Sequence, residues 1–452
     1  MTRFIHAGDI HLGNEQYGIP ERTEDFNRAF MRMVDHAVAD NVDFVLLTGD
    51  LLHKASQSDA LALLHASVGL ERLRKAGIPV VAIEGNHELQ QRSDTVSFPK
   101  YLNLVSLVHL LDVQLDHYGR QVLMPWDSGA GSGSFIDLGP TRIFGMRYLG
   151  AQTARIIEEV AGQIDRGNAE FVIMMLHAGM EGEIPHMHGG LTMGQLAPLR
   201  GQIDYVALGH VHKKLECEGW IFNPGSTEVC GMDEIGEDWP HGFFEVVVAG
   251  GHAKVEHHST ASRAFCRLDV DVSQCDSPQS VLETAQKVIG DSKSLSDGAV
   301  VEITLMGVTQ FNRHHIPEEL IKAAVEARCH PLTVRVRYSA SQIAVGLDRS
   351  QRGTRAELER EVIEDIVRQN PAYRRHATEW AQMALDVKQM VHDGRPPGAI
   401  AEHVQVVRAK LGTDVSAEPA PEPTEAAPTQ GQLELTEELT ESTETESVVA
   451  GS

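Results

Sequence analysis

The chain has 452 residues, which is too long for one typical domain, and its fractions of hydrophobic (42%) and charged (23%) residues are ordinary for a globular protein. This composition excludes collagen-like, coiled-coil and wholly disordered chains. The formal net charge of −25 argues against a nucleic-acid-binding protein that supplies its own basic surface.

The cysteine content and the hydropathy of the chain exclude further classes of protein. The five cysteines are scattered and include no CxxC pair, which argues against a disulfide framework or a cysteine zinc site. No apolar run approaches the ~20 residues that span a bilayer, and the first residues lack the apolar stretch of a signal peptide. We therefore expect a cytoplasmic protein with no membrane partner.

Residues 1–261 predict an α/β domain. Strand patterns alternate with amphipathic helical patterns early in this segment, and further strands follow. The predicted strands are 3–7, 43–48, 78–83, 141–145, 171–176, 205–208, 220–222, 243–248 and 254–258, and the predicted helices are 21–40 and 58–76. This order predicts a layered α/β sandwich with mixed sheets.

The rest of the chain predicts three smaller parts. Residues 262–340 repeat a strand–helix pattern and predict a compact α+β domain. Residues 353–412 predict a helical segment, in which Trp380, Ala384, Val387 and Val391 form one apolar stripe. That stripe predicts either a core helix or a docking surface for a partner. Residues 413–452 are rich in Pro, Ala, Glu and Thr and predict a disordered acidic tail.

Five short motifs place polar residues just past the carboxyl ends of predicted strands, where ligands bind in open α/β sheets. They are Gly8-Asp9-Ile10-His11, Gly49-Asp50-Leu51-Leu52-His53, Gly85-Asn86-His87-Glu88, Leu176-His177-Ala178-Gly179 and Gly209-His210-Val211-His212. The spacing of two within the first and last motifs would let an extended backbone direct both side chains to one site. The glycines would permit tight turns and close backbone approach.

The donor types predict the metal chemistry. Two aspartates, one asparagine and four histidines mix hard oxygen with imidazole ligands and include no thiolate, which suits Mn²⁺, Fe or Zn²⁺. Seven ligands are too many for one tetrahedral ion. They fit two ions that share a bridging carboxylate, an arrangement that clamps a phosphoryl centre during hydrolysis.

The ordered set DxH, GDxxH, GNHE, H and GHxH, with Asn223-Pro224-Gly225-Ser226-Thr227, resembles the calcineurin-like metallophosphoesterase superfamily. Within it the set is most similar to the SbcD/meiotic-recombination-eleven family of DNA-repair nucleases. The resemblance implies an α/β/β/α two-sheet sandwich over 1–261, a smaller α+β capping domain over 262–340 and a helical partner-binding segment over 353–412.

The resemblance also implies roles for individual residues. Asp9, His11 and His212 would hold one metal, Asn86, His177 and His210 would hold the other, and Asp50 would bridge them. His87 would face the scissile phosphate as a general acid or charge stabiliser. Glu88 could orient His87, and His53 would lie on the substrate side.

For several other basic and histidine side chains the sequence does not favour a functional role over an ordinary structural one. Lys54, Arg92, Lys213 and Lys214 flank the motifs and are either phosphate contacts or ordinary solvated charges. For six further histidines the bland interpretation is favoured: His36 and His65 are structural residues within helices, His186 and His188 lie in a mobile loop near the site, and His257 and His258 lie late in a strand at the surface.

The resemblance implies a nuclease that uses two ions, preferably Mn²⁺, with Mg²⁺, Fe or Zn²⁺ as alternatives. Its activities would be 3′→5′ exonuclease and single-strand or hairpin endonuclease in DNA double-strand-break repair. It would act as a homodimer with an SbcC-type SMC-like ATPase subunit. Two alternatives stay open: a phosphatase or small nucleotide phosphodiesterase with the same site, and a repair scaffold with minor nuclease activity.

Overall fold

A computed structural model of the chain describes residues 1–53, 60–89, 96–182, 190–236, 239–261, 263–307, 311, 313–339, 360, 363–364, 366–368, 373–392 and 395–411. Two compact units divide the chain, residues 1–340 and residues 341–452. The predicted boundary between a nuclease domain and a capping domain falls inside the first unit and stays a prediction.

The first sheet of the larger unit has six strands in the order β14-β13-β1-β2-β3-β4. Strands β1 to β4 run parallel, and β13 and β14 add an antiparallel pair beside β1. The bounds are β1 Thr2–Ala7, β2 Phe44–Leu47, β3 Val80–Ala82, β4 His109–Leu110, β13 Gly242–Ala249 and β14 His252–Ser259.

The second sheet also has six strands, in the order β11-β12-β10-β9-β8-β7. Its four central strands are parallel, and the two outer strands are antiparallel to their neighbours. The bounds are β7 Phe135–Leu138, β8 Thr141–Met146, β9 Phe171–His177, β10 Tyr205–Gly209, β11 Leu215–Cys217 and β12 Ile221–Asn223. A separate hairpin consists of β5 Gln114–Leu115 and β6 Gln121–Val122.

Strand alternation builds three apolar layers. In β1, Phe4 joins the cluster between the two sheets, whereas Ile5 packs with the outer helices. In β9, Ile173 faces the same inter-sheet core and Met174 faces the opposite side. Such strands are buried on both faces, which explains their continuous apolar sequence.

Helices cover the outer faces of both sheets. Helices α1 (Pro20–Ala39) and α2 (Ala60–Lys75) pack on the first sheet, and α4 (Thr153–Ala161) and α5 (Met193–Leu196) pack on the second. Helix α3 (Phe98–Leu104) precedes β4. The predicted α/β/β/α sandwich is therefore confirmed. The sequence prediction assigned no element to the short strands β4 to β7 or to helices α3, α4 and α5.

A third sheet follows within the same unit. Strands β15 (Phe265–Asp271), β16 (Val300–Met306) and β17 (Thr333–Ser339) are parallel, and helices α6 (Pro278–Asp291) and α7 (Glu318–Glu326) cover one face. Ser277 caps α6 through a reciprocal capping box. Buried Asp25 joins this segment to α1, because it accepts hydrogen bonds from both Arg22 and Arg263.

The second unit contains helices α8 (Ala377–His392) and α9 (Pro397–Leu411). In the predicted stripe, Trp380 is buried and packs against Tyr373, whereas Val391 is 62% exposed. Most of the predicted helical segment before residue 373, and the whole predicted tail 413–452, lie outside the described residues. None of the helices in the described ranges combines the length and apolar character that crossing a bilayer requires.

Candidate metal centre

The polar residues of the five motifs meet where the carboxyl ends of the two sheets adjoin. Asp9 follows β1 and Asp50 follows β2, both in the first sheet. His177 ends β9, and His210 follows β10 in the second sheet. Hydrogen bonds link the sheets at this point: the backbone amide of His210 donates to Asp9 Oδ2 at 2.8 Å.

One group of donors contains Asp9, His11, Asp50 and His212. One ligand atom from each of Asp9, His11 and Asp50 lies within 4.8 Å of the others. His11 Nε2 is 3.0 Å from His212 Nε2, so the two imidazole nitrogens face each other. All four side chains thus converge on one small volume.

A second group contains Asn86, His177 and His210. Asn86 Oδ1 lies 3.0 Å from His177 Nε2 and 2.8 Å from His210 Nδ1. Asp50 Oδ2 is 3.5 Å from His177 Nε2, so this carboxylate touches both groups. The structure therefore brings together all seven residues expected as ligands. Their division between two ions, with Asp50 as the bridge, stays a prediction.

Hydrogen bonds on the far side of the rings orient two histidines. His177 Nδ1 lies 2.7 Å from the carbonyl oxygen of Thr48, which leaves Nε2 directed at the donors. His212 Nδ1 lies 2.7 Å from Glu234 Oε1. Partners of this kind fix the tautomer of metal-binding histidines. Sequence analysis missed Glu234, because no motif links it to a histidine 22 positions earlier.

The backbone at the site differs from the extended conformation expected from the motif spacing. Asp9 (φ 51°), His11 (φ 52°), Asp50 (φ 52°) and His210 (φ 90°) all have left-handed backbone. Left-handed conformations are uncommon in non-glycine residues and collect at functional sites. The expectation of extended pairs was wrong, because tight turns rather than strand continuation direct these side chains.

Two glycines of the motifs are needed for close approach. A Cβ atom on Gly85 would collide with Asp50 Oδ1, and Gly49 has a φ of +93° with the His177 ring directly beside it. Larger residues would push the ligand-bearing turns apart.

The electrostatics of the centre favour added positive charge. Burial lowers the pKa of His177, but the nearby Asp50 carboxylate outweighs this effect and raises it to about 9. Burial raises the pKa of Asp50, yet the neighbouring imidazoles, His177 above all, hold it well below its usual value. His210 behaves differently, since burial lowers its pKa to about 4.

The donor set fits a pair of cations. Carboxylate and amide oxygens alternate with imidazole nitrogens, which matches borderline transition metals. Facing nitrogen atoms such as His11 Nε2 and His212 Nε2 are satisfied together by an ion between them. The calcineurin-like family uses a dimetal site, and these residues can hold one.

His87 lies beside the seven expected ligands, and one of its ring nitrogens is within 4.8 Å of ligand atoms of His11 and His53. Its side chain is 33% exposed, and its Nε2 is 4.0 Å from Asp50 Oδ2. Its backbone amide donates to Asp50 Oδ1 at 2.9 Å, and its Nδ1 contacts the carbonyl oxygen of His53. The His53 ring lies next to those of His11 and His87. An imidazole in this position can reach a substrate held at the centre.

Glu88 does not play the orienting part expected of it. Its buried carboxylate accepts hydrogen bonds from the backbone amides of Gly85, Asp50 and Leu52, at 3.0 to 3.2 Å. The contact of His87 Nδ1 is instead with the His53 carbonyl. Glu88 therefore fixes the Asp50 turn, and burial raises its pKa to about 8.

The predicted phosphate contacts divide into two groups. Lys54 and Arg92 lie outside the described residues, as do His186 and His188. Lys213 Nζ lies 5.6 Å from the centre of the Trp239 ring, and Lys214 pairs with Glu216 at 3.2 Å. Both lysines follow His212 directly. Their role as DNA contacts stays a prediction.

The turn after β12 supports the His212 loop. Asn223 Nδ2 donates to the carbonyl oxygens of Val211 and Lys213, at 2.6 and 2.9 Å. The backbone amide of Ser226 donates to the carbonyl oxygen of His212 at 3.1 Å. These contacts account for the Asn-Pro-Gly-Ser sequence as a structural support.

A cleft next to the second donor group was not anticipated from the sequence. It is lined by Tyr148, Thr153, His177, Leu191 and His210. The Tyr148 ring lies 5.3 Å from the His210 ring. Tyrosine on a loop between a strand and a helix carries no local signal, so only the fold reveals it.

Comparisons with known proteins agree with this geometry. Residues 2–214 match the family model described as calcineurin-like phosphoesterase. The Bacillus subtilis protein described as uncharacterized metallophosphoesterase YhaO is 27% identical over 84% of this chain and 93% of its own length. The DNA double-strand break repair protein Mre11 of Haloferax volcanii is 30% identical over 60% of this chain, but only 55% of that protein is covered.

A solved structure, the calcineurin-like phosphoesterase YfkN of Bacillus subtilis, aligns over 64% of this chain at 12% identity with a TM-score of 0.33. Likeness at that level carries no functional weight. Residues 2–214, slightly less than half of the chain, are thus similar to calcineurin-like phosphoesterases, and the protein is a metal-dependent hydrolase.

Proposed function

We propose that this protein is a DNA nuclease of the SbcD/Mre11 type, which hydrolyses phosphodiester bonds during double-strand-break repair. The observation that carries the proposal is the position of His87. Its imidazole is 33% exposed and lies beside the convergent donors, where it can serve an ester whose leaving group must be protonated.

Each group has a part in this proposal. When bound, two ions would activate water and neutralise charge on the phosphate. The residues that would hold these ions are Asp9, Asp50, Asn86, His11, His177, His210 and His212. His87 donates a proton to the 3′ oxygen as it leaves, and His53 supports it through its carbonyl oxygen.

Net charge makes a partner part of the proposal. At −25 the chain repels DNA at long range, so affinity for phosphate requires cations from elsewhere. An SMC-like ATPase subunit would supply basic surface, and the exposed end of the α8 stripe around Val391 would offer it an apolar contact. A homodimer and Mn²⁺ as the preferred ion belong to the same proposal.

One observation favours a second candidate, a phosphatase or small nucleotide phosphodiesterase. The Bacillus subtilis relative that aligns over 84% of this chain is described only as an uncharacterized metallophosphoesterase. The cleft beside Tyr148 and His210 could hold a small phosphate ester.

Parallel assays on DNA and on small phosphate esters separate the two candidate functions. The full-length chain is incubated with Mn²⁺, Mg²⁺ or chelator on end-labelled duplex, single-stranded and hairpin DNA, and in parallel on nitrophenyl phosphate mono- and diesters. A nuclease degrades DNA and the diester in a metal-dependent way. If the protein hydrolyses the monoester but leaves DNA intact, even when the ATPase subunit is present, the nuclease proposal is rejected.

A further inference from the structure

A second cluster of metal-binding side chains lies away from the centre described above. It consists of His36 on α1, Glu245 on β13 and His258 on β14, and it is called here the α1–β14 cluster. One ligand atom of each lies within 4.8 Å of the others. In sequence the three are far apart and belong to no motif, so the sequence indicated only structural or surface histidines.

Register explains why these side chains meet. In the β13–β14 pair, Phe243 lies opposite His258, and Glu245 is two residues from Phe243 on the same face. Helix α1 packs on that face, and its His36 ring contacts both Phe243 and His258, with centroids 5.2 and 4.3 Å apart. The fold therefore fixes all three groups from rigid elements.

The distances are close to those of a tetrahedral site. Glu245 Oε2 lies 2.8 Å from His36 Nε2 and 3.3 Å from His258 Nε2. A tetrahedral ion with bonds of ~2.0 Å separates neighbouring ligand atoms by ~3.3 Å. The Glu245–His258 distance already matches that value, and the His36–Glu245 contact would have to open by roughly 0.5 Å on that geometry.

The hydrogen-bond pattern leaves one nitrogen unused. His258 Nε2 is buried, and no group within the described ranges hydrogen bonds to it, although Glu245 Oε2 is adjacent. A buried polar atom without a partner costs free energy. A cation between the three ligand atoms would satisfy it.

The surrounding charges leave Glu245 Oε2 to the two imidazoles of the cluster. Arg3 Nε occupies the other oxygen, Oε1, at 3.3 Å, and Arg3 also pairs with Asp40 at 3.3 Å. Asp40 Oδ2 is in turn 3.9 Å from His36 Nε2 and offsets the charge of the arginine. The side chains of the cluster are 24%, 12% and 28% exposed, so an ion can enter from solvent.

We propose that the α1–β14 cluster binds a divalent transition-metal ion of the Zn²⁺ type, separate from the catalytic pair. Two imidazoles and one carboxylate form a donor set that suits Zn²⁺ and excludes Ca²⁺ and Mg²⁺. The ion ties β14, the edge strand of the first sheet, to the helix that covers that sheet. Its role is to stabilise this edge, and hydrolysis does not depend on it.

Zinc binding to the full-length chain tests the proposal. Chelator-treated protein is titrated with Zn²⁺ by equilibrium dialysis at pH 7.5, and bound metal is counted by mass spectrometry. His36→Gln and His258→Gln should each bind one ion fewer, or bind it at least about tenfold more weakly. The matched control is His252→Gln, which changes an exposed histidine of the same strand outside the cluster.

Two further measurements keep the result unambiguous. Zn²⁺ should raise the unfolding midpoint of wild type and His252→Gln by more than that of the cluster variants. Hydrolysis of a phosphodiester should be equal in all four proteins, since none of these residues belongs to the catalytic centre. Equal zinc counts and equal midpoint shifts in all four would overturn the proposal, and His258→Gln alone suffices if His36→Gln does not fold.

Discussion

The strands β1 to β3 and the strands β15 to β17 are both parallel runs covered by helices, yet they are used differently. The first run ends in turns that carry Asp9, Asp50 and Asn86 into the metal centre. Within the described ranges, no group of three potential metal ligands lies at the ends of β15 to β17.

Polar residues of the third sheet lie instead on the strands themselves. Glu302 of β16 is buried at 1% exposure and lies 3.5 to 4.0 Å from Arg267, Arg335 and Arg337. Arg267 also reaches Asp233 of the neighbouring loop, and Arg335 lies over the Tyr17 ring. The comparison shows that the same parallel strand arrangement, covered by helices, builds both sheets. Whether a sheet carries a metal centre depends on which residues occupy the turns at the ends of its strands.

The largest expected effect on hydrolysis tests whether the residues in the turns after β1 to β3 are responsible for catalysis. Asp50→Ala should release the ions and reduce hydrolysis to the uncatalysed rate, because this carboxylate touches both donor groups. Metal counting and diester hydrolysis check this. An Asp50→Ala chain that keeps full activity would contradict the two-ion arrangement.

His87→Ala separates metal binding from catalysis. It should retain the metals and lower kcat by about 10²- to 10⁴-fold, the range of a lost general acid. Metal content and turnover are measured side by side. His117→Ala, at an exposed position in the β5–β6 hairpin, is the control and should match wild type.

Glu234→Gln tests a residue that acts through a ligand. Loss of the carboxylate beside His212 Nδ1 should weaken metal affinity by about 10- to 100-fold. Excess metal should restore most of the activity. Asp233→Asn, next to it but paired with the third sheet, should leave the metal affinity unchanged.

Glu302→Ala tests the other side of the comparison. Removing the buried carboxylate leaves its arginine partners facing one another and should lower the free energy of unfolding by about 1–3 kcal/mol. Chemical denaturation measures the loss. Metal affinity should not change, and a drop in it would mean that the two regions are not independent.

The smallest effect concerns His6, buried between the sheets. Burial lowers its pKa to about 3, against the hydrogen bond to Leu208 O. The unfolded chain, with a pKa near 6.5, takes up a proton as the pH falls and the folded chain does not, so stability is lost below pH 6.5. His6→Gln should remove about 1 kcal/mol of that loss between pH 6.5 and 5.5. Unfolding curves at both pH values check this, and identical slopes for the two chains would contradict it.

The sequence predicted the layers and the donor set well, for physical reasons. Strands such as 171–177 have continuous apolar runs, and ligand motifs at strand ends converge whenever the strands are neighbours. Elements with weak signals were missed, among them the two-residue strands β4, β5 and β6. The sequence also could not predict individual side-chain contacts that no motif signals. Examples are the contact of Glu234 with His212 and the hydrogen bonds of the Glu88 carboxylate with three backbone amides.

The left-handed backbone of Asp9, His11, Asp50 and His210 implies a trade-off between durability and activity. Each such residue stores about 1 kcal/mol or more that glycine would not. A glycine at position 50 would relieve that backbone strain, but it would also remove the carboxylate that contacts His177 and the His87 amide, and the chain would be catalytically inert.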